Sequence, residues 1–143
     1  MQNTTRQLCT FYLGRLFMGV EVTKVLEVIR STELTPVPLA PDCVSGLINL
    51  RGQIVSALDL RRRLSLPDAK EGTDPVNIVL HREEGPVSML VDDIGDVITL
   101  DDSRFESTPQ TVLGNVRDVL EGVYKTDTEL LLVIDPDRVV DVS

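Results

Sequence analysis

The stretch GLINLRGQIVSALDLRRRL, residues 46–64, contains two apolar runs separated by Asn49, Leu50, Arg51 and Gly52. Short Val/Ile/Leu-rich runs flanking a Gly-containing turn read as a β-hairpin, in which Gly52 supplies the positive φ that a tight turn demands. Asp59 can N-cap a short DLRRRL helix that Pro67 stops. Arg51 does not fit so easily. It is a permanent charge where such a turn asks only for turn formers, and the stretch therefore poses a question of function as well as of fold.

Working outward, the same kind of run recurs between turn formers as LCTFYL, VLEVI, VNIVL, VSMLVD, EGVY and LLLVI, which predicts a mostly β chain. Helical periods are scarce. PDCVSG suits one helical turn, and Pro136 suits the first turn of a helix capped by Asp135. Residues 101–118, rich in Ser, Thr, Asp and Asn, read as loop.

The runs also repeat. Val22, Val25, Val28 and Ile29 fall on Val91, Ile94, Val97 and Ile98, each 69 positions on, and Gly46 and Asp59 fall on Gly122 and Asp135, each 76 positions on. The extra seven positions lie in the loops at residues 31–41 and 100–119, where insertions are tolerated. Each copy holds about five strands, too few for a sheet without exposed edges, and a small antiparallel barrel closes such edges. The expected fold is thus all-β: two five-stranded barrel subdomains from a tandem duplication, packed side by side, with short helical turns. A chain of 143 residues suits one such domain, with one subdomain mainly at about 15–75 and the other at about 76–140, the N-terminal strand contributing to the shared core.

Charge narrows the partners. Lys plus Arg total 14 against 23 Asp plus Glu, and the formal charge of -9 repels nucleic acid and anionic lipid. No apolar run approaches the roughly 20 residues of a spanning helix, and the polar start MQNTTRQ has no signal-peptide core, so no membrane insertion and a cytoplasmic location are expected. Cys9 and Cys43 stand apart and read as reduced thiols, Cys9 packed in a strand; no disulfide, metal site or cofactor is expected.

In the second copy Asp127 and Thr128 stand opposite Arg51 and Gly52. The fold itself therefore does not need an arginine at this turn. Two roles remain open for Arg51: bracing the turn, through carbonyls or a carboxylate such as Asp92 or Asp93, or presenting its five-donor fork to a partner at the seam between subdomains.

Four segments together, LCTFYLGRLFMGVEVTKVLEVI, VSGLINLRGQIVSALDLRRRL, SMLVDDIGDVITL and LEGVYKTDTELLLVIDPDRVV, resemble the CheW family of chemotaxis coupling proteins from about Leu8 to Val140. The GLINLRG-x-IV-x-x-LDLR block is the specific one. The resemblance implies two SH3-like five-stranded barrels around a continuous apolar core, and a cytoplasmic adaptor recruited to receptor arrays at the inner face of the membrane. Its partners would be the helical hairpin tip of methyl-accepting chemoreceptors and the regulatory domain of a CheA-type histidine kinase, with the chain monomeric in isolation.

Carried over position by position, the receptor groove would comprise Val25, Glu27, Gly46, Arg51, Val76, Ser88 and Ile94. In such a site valines and Ile94 offer area to an apolar helix stripe, while Glu27 and Arg51 fix register through charged hydrogen bonds. The kinase-facing surfaces would lie around Met18, Val20 and Val22 and at loop 105–111, with Phe105, Glu106 and Thr111. Glu106 and Thr111 depart from the family pattern, which has a basic and an aromatic residue there. The arginine run at residues 61–63 reads as the solvated face of a short helix.

Catalysis is the rival reading. The single histidine, His81, ends the strand VNIVLH before the turn REEG, an exposed place unsuited to a general base. Asp92 and Asp93 are adjacent in a strand and point to opposite faces, and no Gly-rich phosphate loop exists. A CheW-like regulatory module of another two-component pathway is the nearer alternative; such modules come fused to kinase or receiver domains, for which this chain, starting at Met1, has no room. No enzyme is expected.

Overall fold

The computed structural model describes residues 4–30, 33–112 and 114–141. Eleven strands run β1 Thr5–Leu13, β2 Leu16–Glu21, β3 Val25–Ile29, β4 Val44–Leu50, β5 Gln53–Asp59, β6 Val76–Leu80, β7 Val87–Val91, β8 Asp93–Asp101, β9 Phe105–Glu106, β10 Leu120–Lys125 and β11 Leu130–Ile134. Three helices, α1 Leu60–Arg63, α2 Gly114–Asp118 and α3 Pro136–Val140, complete the described residues with two single 3-10 turns. Asp59 caps α1 by accepting from the Arg62 N–H, and Asp135 caps α3 by accepting from the Asp137 N–H, as the sequence anticipates. The turn expected within PDCVSG is a hydrogen-bonded bend, Val44 N–H donating to the Pro41 carbonyl, after which β4 begins. Residues 101–118 carry a 3-10 turn, β9 and α2 rather than loop alone.

Two sheets form. The central sheet, from the middle of the chain, runs β3-β6-β7-β5-β4; the terminal sheet, from both ends of the chain, runs β8-β1-β2-β11-β10-β9. Neither ladder closes on itself, so the two closed five-stranded barrels expected from sequence are instead an open five-stranded and an open six-stranded sheet. The division expected at residue 75 also moves. β6 and β7 pair with β3 and β5, so residues 76–91 belong to the central subdomain, and β1 and β2 pair with β8 and β11 in the other. β7 pairs in parallel with β5, and β2 with β11, so each hairpin completes the centre of its sheet.

The duplication itself is borne out in the backbone. β4 and β5 pair Val44 with Leu58 and Gly46 with Ala57 around a bulge; β10 and β11 pair Leu120 with Ile134 and Gly122 with Val133 around the same bulge, 76 positions on. Both glycines are required by close approach. A Cβ on Gly46 would lie 2.7 Å from the Thr35 carbonyl oxygen, and one on Gly122 would lie 2.7 Å from that of Glu106 and overlap the Phe105 ring. The β6–β7 hairpin likewise has its counterpart 69 positions earlier, Leu80 opposite Val87 matching Phe11 opposite Met18. The second copy is therefore permuted: it starts at β8 and is finished by β1 and β2.

Three apolar clusters follow from this plan. Each sheet encloses a small one: Leu8, Tyr124, Leu131 and Val133 in the terminal subdomain, and Ile48, Val55, Ala57 and Val79 in the central one. The largest lies between them, where Phe11, Leu13, Met18 and Val20 meet Leu60, Val76, Ile78, Leu80, Val87, Met89 and Val91. β6 and β7 are buried along their whole length because one face serves the shared cluster and the other the interior of their own subdomain. This accounts for their nearly continuous apolar sequence.

Candidate functional site at the subdomain seam

Leu50 pairs with Gln53, leaving Arg51 at φ 52° and Gly52 at φ 86°, the geometry of a two-residue hairpin turn of the I′ type. Asn49 Oδ1 accepts the Gly52 N–H at 2.9 Å and fixes the turn from within. Arg51 contributes nothing of that kind. A side chain with a Cβ in this left-handed region costs about 1–2 kcal/mol relative to a residue at ease there, and 82% of the Arg51 side chain is exposed. Its Nη2 lies 3.4 Å from Glu27 Oε2, on β3. The carboxylates named for bracing, Asp92 and Asp93, face other arginines, Asp92 being held by Arg61 and Asp93 lying 3.9 Å from Arg30; the carboxylate beside Arg51 is that of Glu27.

β3 and β8 are the outermost strands of their sheets on the side where the subdomains meet. Arg30, just after β3, faces Asp93, the first residue of β8, across the seam. Val25 on β3 and Ile94 on β8 are half-buried and pack on the shared cluster from the two sides. The structure thus brings together four of the expected groove residues, Val25, Glu27, Arg51 and Ile94. Leu26 and Val97, which sequence reasoning passed over, add exposed apolar area to the same two edge strands. The signal was present in VLEVI, which has one apolar residue more than a one-sided strand needs.

The other expected contacts are not available. Val76 is 3% exposed and Ser88 fully buried, the Ser88 hydroxyl donating to Asn77 Oδ1 at 2.7 Å inside the central subdomain. Gly46 is buried against Thr35. On the kinase-facing surface, Met18 and Val20 are both wholly buried in the shared cluster. These are corrections: Met18, Val20, Val76 and Ser88 lie on β2, β6 and β7, interior strands of their sheets covered on both faces, while Gly46, on the edge strand β4, is covered by the chain at Thr35. Val22 is half-buried against the same cluster.

Around loop 105–111, Phe105 is half-buried over the terminal subdomain's interior, 5.0 Å from the Tyr124 ring and under the Arg6 guanidinium. Glu106 and Thr111 are exposed, Glu106 lying 3.3 Å from Lys125 Nζ. Arg6 bonds Glu121 at 2.5 Å and Glu21 at 3.3 Å. Burial is the largest single influence and works against its charge, but Glu121, Tyr124 and Glu21 together outweigh it and drive its pKa further up.

Of the three arginines of α1, Arg62 is exposed as expected, whereas Arg61 and Arg63 are half-buried and engaged by the fold. Arg61 grips both oxygens of Asp92, at 2.8 and 2.5 Å; Arg62 bonds Asp68; Arg63 donates to the carbonyls of Arg138, Val139 and Asp141 at the end of α3. Arg62 and Arg63 also line a depression of about 520 Å3 between the helices, with Asp42, Cys43, Asn115 and Arg138. The Arg61 hydrogen bond holds the Asp92 carboxyl below the usual carboxylate range despite partial burial, helped by the Gly14 N–H at 2.7 Å. Among the described residues no group of His, Cys, Asp and Glu is arranged to hold a metal ion, and no helix is long and apolar enough to cross a membrane.

A family model described as the CheW-like domain matches residues 7–143 of this sequence. The chain belongs to the CheW family. It is 30% identical over 133 residues to the chemotaxis protein CheW of Treponema pallidum, covering 90% of this chain and 78% of that protein. It is also 30% identical over 138 residues to the chemotaxis protein CheW of Bacillus subtilis, covering 96% of this chain and 88% of that one. In structure it superposes with a TM-score of 0.85 and 26% identity on the scaffolding protein TtCheW from Thermoanaerobacter tengcongensis, over 92% of this chain and 90% of the other. Family and fold agree on a chemotaxis adaptor.

Proposed function

We propose that this CheW-family chain couples a chemoreceptor to a CheA-type histidine kinase by binding the receptor's helical hairpin tip along the seam and the kinase's regulatory domain elsewhere. The observation that carries the receptor part is Arg51. An exposed cation occupies a positive-φ position that its own turn would fill better with Asn or Gly, and Glu27 holds it beside the β3 edge. A helix laid there would rest apolar residues on Val25, Leu26, Ile94 and Val97 and meet the guanidinium with a carboxylate or carbonyl. Glu106, Thr111, Phe105 and Val22 remain the kinase-facing candidates. Single contacts of this kind are modest and gain strength in arrays of many copies.

The test titrates the purified chain against a receptor hairpin-tip fragment and, separately, against a CheA-type regulatory domain. Arg51→Glu should weaken receptor binding at least about tenfold, the loss of roughly one charge-assisted contact. It should leave the kinase-domain titration unchanged and the thermal midpoint within about 2 °C. Unaltered receptor affinity would reject the seam as the docking site, and early unfolding would return Arg51 to a bracing role.

A further inference from the structure

The duplication extends to the way the subdomains hold each other. α1 and α3 are equivalent, 76 positions apart, so Asp137 of α3 is the counterpart of Arg61 of α1. The β6–β7 and β1–β2 hairpins are equivalent as well. Arg61 reaches from the central subdomain to Asp92, which also accepts the Gly14 N–H in the β1–β2 turn of the terminal subdomain. Conversely, Asp137 of the terminal subdomain accepts from Arg82 Nε, in the β6–β7 turn of the central one, at 3.1 Å. Each post-strand helix grips the hairpin of the other copy, with the charges reversed.

The two grips are unequal. Arg61 and Asp92 are 18% and 21% exposed, joined by two hydrogen bonds, and the Arg61 fork also donates to the Pro67 carbonyl. Arg63 adds three bonds onto the end of α3 from the same helix. Asp137 is 76% exposed and offers one oxygen, and Arg82, though only 14% exposed, also donates to Glu84 and to the Gly85 carbonyl, so its fork stays partnered without Asp137. Asp92 sits where the chain leaves β7 of the central sheet to start β8 of the terminal sheet, one residue before Asp93 and two before Ile94. Whatever holds Asp92 therefore sets where the β8 wall of the seam begins.

We propose that Arg61 is a positioning residue for the seam: acting through Asp92 and Gly14, and seconded by Arg63, it fixes the orientation of the terminal subdomain against the central one, while Arg82–Asp137 is a dispensable counterpart. Its consequence for receptor binding rests on the reading of the seam given above; the orientation of the subdomains does not.

Residual dipolar couplings of backbone amides read that orientation directly. In the unaltered protein one alignment tensor should fit both subdomains. Arg61→Ala should require two distinct tensors, and the Asp92 amide, which donates to the Tyr12 carbonyl, should exchange with solvent at least about tenfold faster while amides inside each sheet keep their protection. Arg62→Ala, whose partners Asp42, Asp59 and Asp68 lie within its own subdomain's stretch of chain, and Asp137→Ala should both retain the single tensor. Should Arg61→Ala fail to fold, Asp92→Asn, which keeps an oxygen for Gly14, carries the same expectation in smaller measure. A single, unshifted tensor in Arg61→Ala, or in Asp92→Asn in its place, overturns the proposal. If the tensors separate and receptor affinity falls, both readings stand. If they separate and affinity holds, the positioning role stands and the seam as docking site falls.

Discussion

The hairpins β4–β5 and β10–β11 share bulge, register, a parallel partner strand and helix cap, and differ at their tips. One tip is Arg51-Gly52, with the cation held by Glu27; the other spans residues 126–129, where Asp127 faces Arg104 at 3.6 Å and the Thr126 hydroxyl donates to the Glu129 carbonyl. What is shared is what a folded copy needs, and what differs is open to selection for binding. The difference teaches where to look: a charge whose sign is reversed in its twin, on a backbone that would prefer another residue, points to something outside the copy.

The shared parts should fail hardest and equally. Gly46→Val and Gly122→Val each push a side chain into backbone, at the Thr35 and Glu106 carbonyls respectively, and each should cost about 3 kcal/mol or more, a small-to-large change without room to relax. Urea unfolding checks it. If one glycine tolerates valine, the two copies are not equivalent at the bulge and the comparison loses its frame.

Next comes the grip that only one copy makes strongly. Asp92→Asn leaves Arg61 half-satisfied and should cost about 2 kcal/mol at neutral pH, the scale of a hydrogen bond to a charged group. Because Arg61 lowers the folded-state pKa of Asp92 below its unfolded value, the Asp92 contribution is present above that unfolded value, near 3.9, and fades as pH falls through the lower folded one. The unaltered protein should therefore lose more stability between about pH 5 and pH 2 than Asp92→Asn does. Parallel pH curves for the two proteins would show that the carboxylate is not bound as described.

Much of this was legible in the chain beforehand. Gly46 and Gly122, and Asp59 and Asp135, announced the repeat because a bulge that meets backbone and a helix start each admit few residue types. The permutation was not legible: QLCTF and VNIVL match only as apolar runs, and nothing local tells a hairpin which of two similar sheets it will complete. Nor was the burial of Met18, Val20, Val76 and Ser88, since a valine offered to a partner and a valine in a core look alike until strand order is known. Arg61 and Arg63 misled for the opposite reason. A basic run reads as solvated unless its acceptors are visible, and those of Arg63 are carbonyls more than 70 residues away.

The caps test the comparison more gently. Asp59→Ala and Asp135→Ala each remove one acceptor from a first-turn N–H and should cost about 1 kcal/mol apiece. Thermal melts that differ between them by more than about 0.5 kcal/mol would mean that the surroundings, such as Arg62 beside Asp59 or Arg138 beside Asp135, outweigh the common motif.

The smallest effect on folding should come with the sharpest effect on binding. Asn tolerates the left-handed region better than Arg does and is favoured at the first central position of a two-residue hairpin turn. Arg51→Asn should therefore leave stability unchanged or raise it by about 0.5 kcal/mol. The ion pair with Glu27 that this substitution removes spans 3.4 Å with the arginine mostly in water, and exposed pairs of that kind rarely contribute more than a few tenths of a kcal/mol. A variant that melts no earlier yet binds the receptor tip at least about tenfold more weakly would show that the turn carries Arg51 at the fold's expense for a partner's sake. If Arg51→Asn instead melts several degrees lower, the arginine belongs to the hairpin after all, and the contrast between the two tips is one of folding alone.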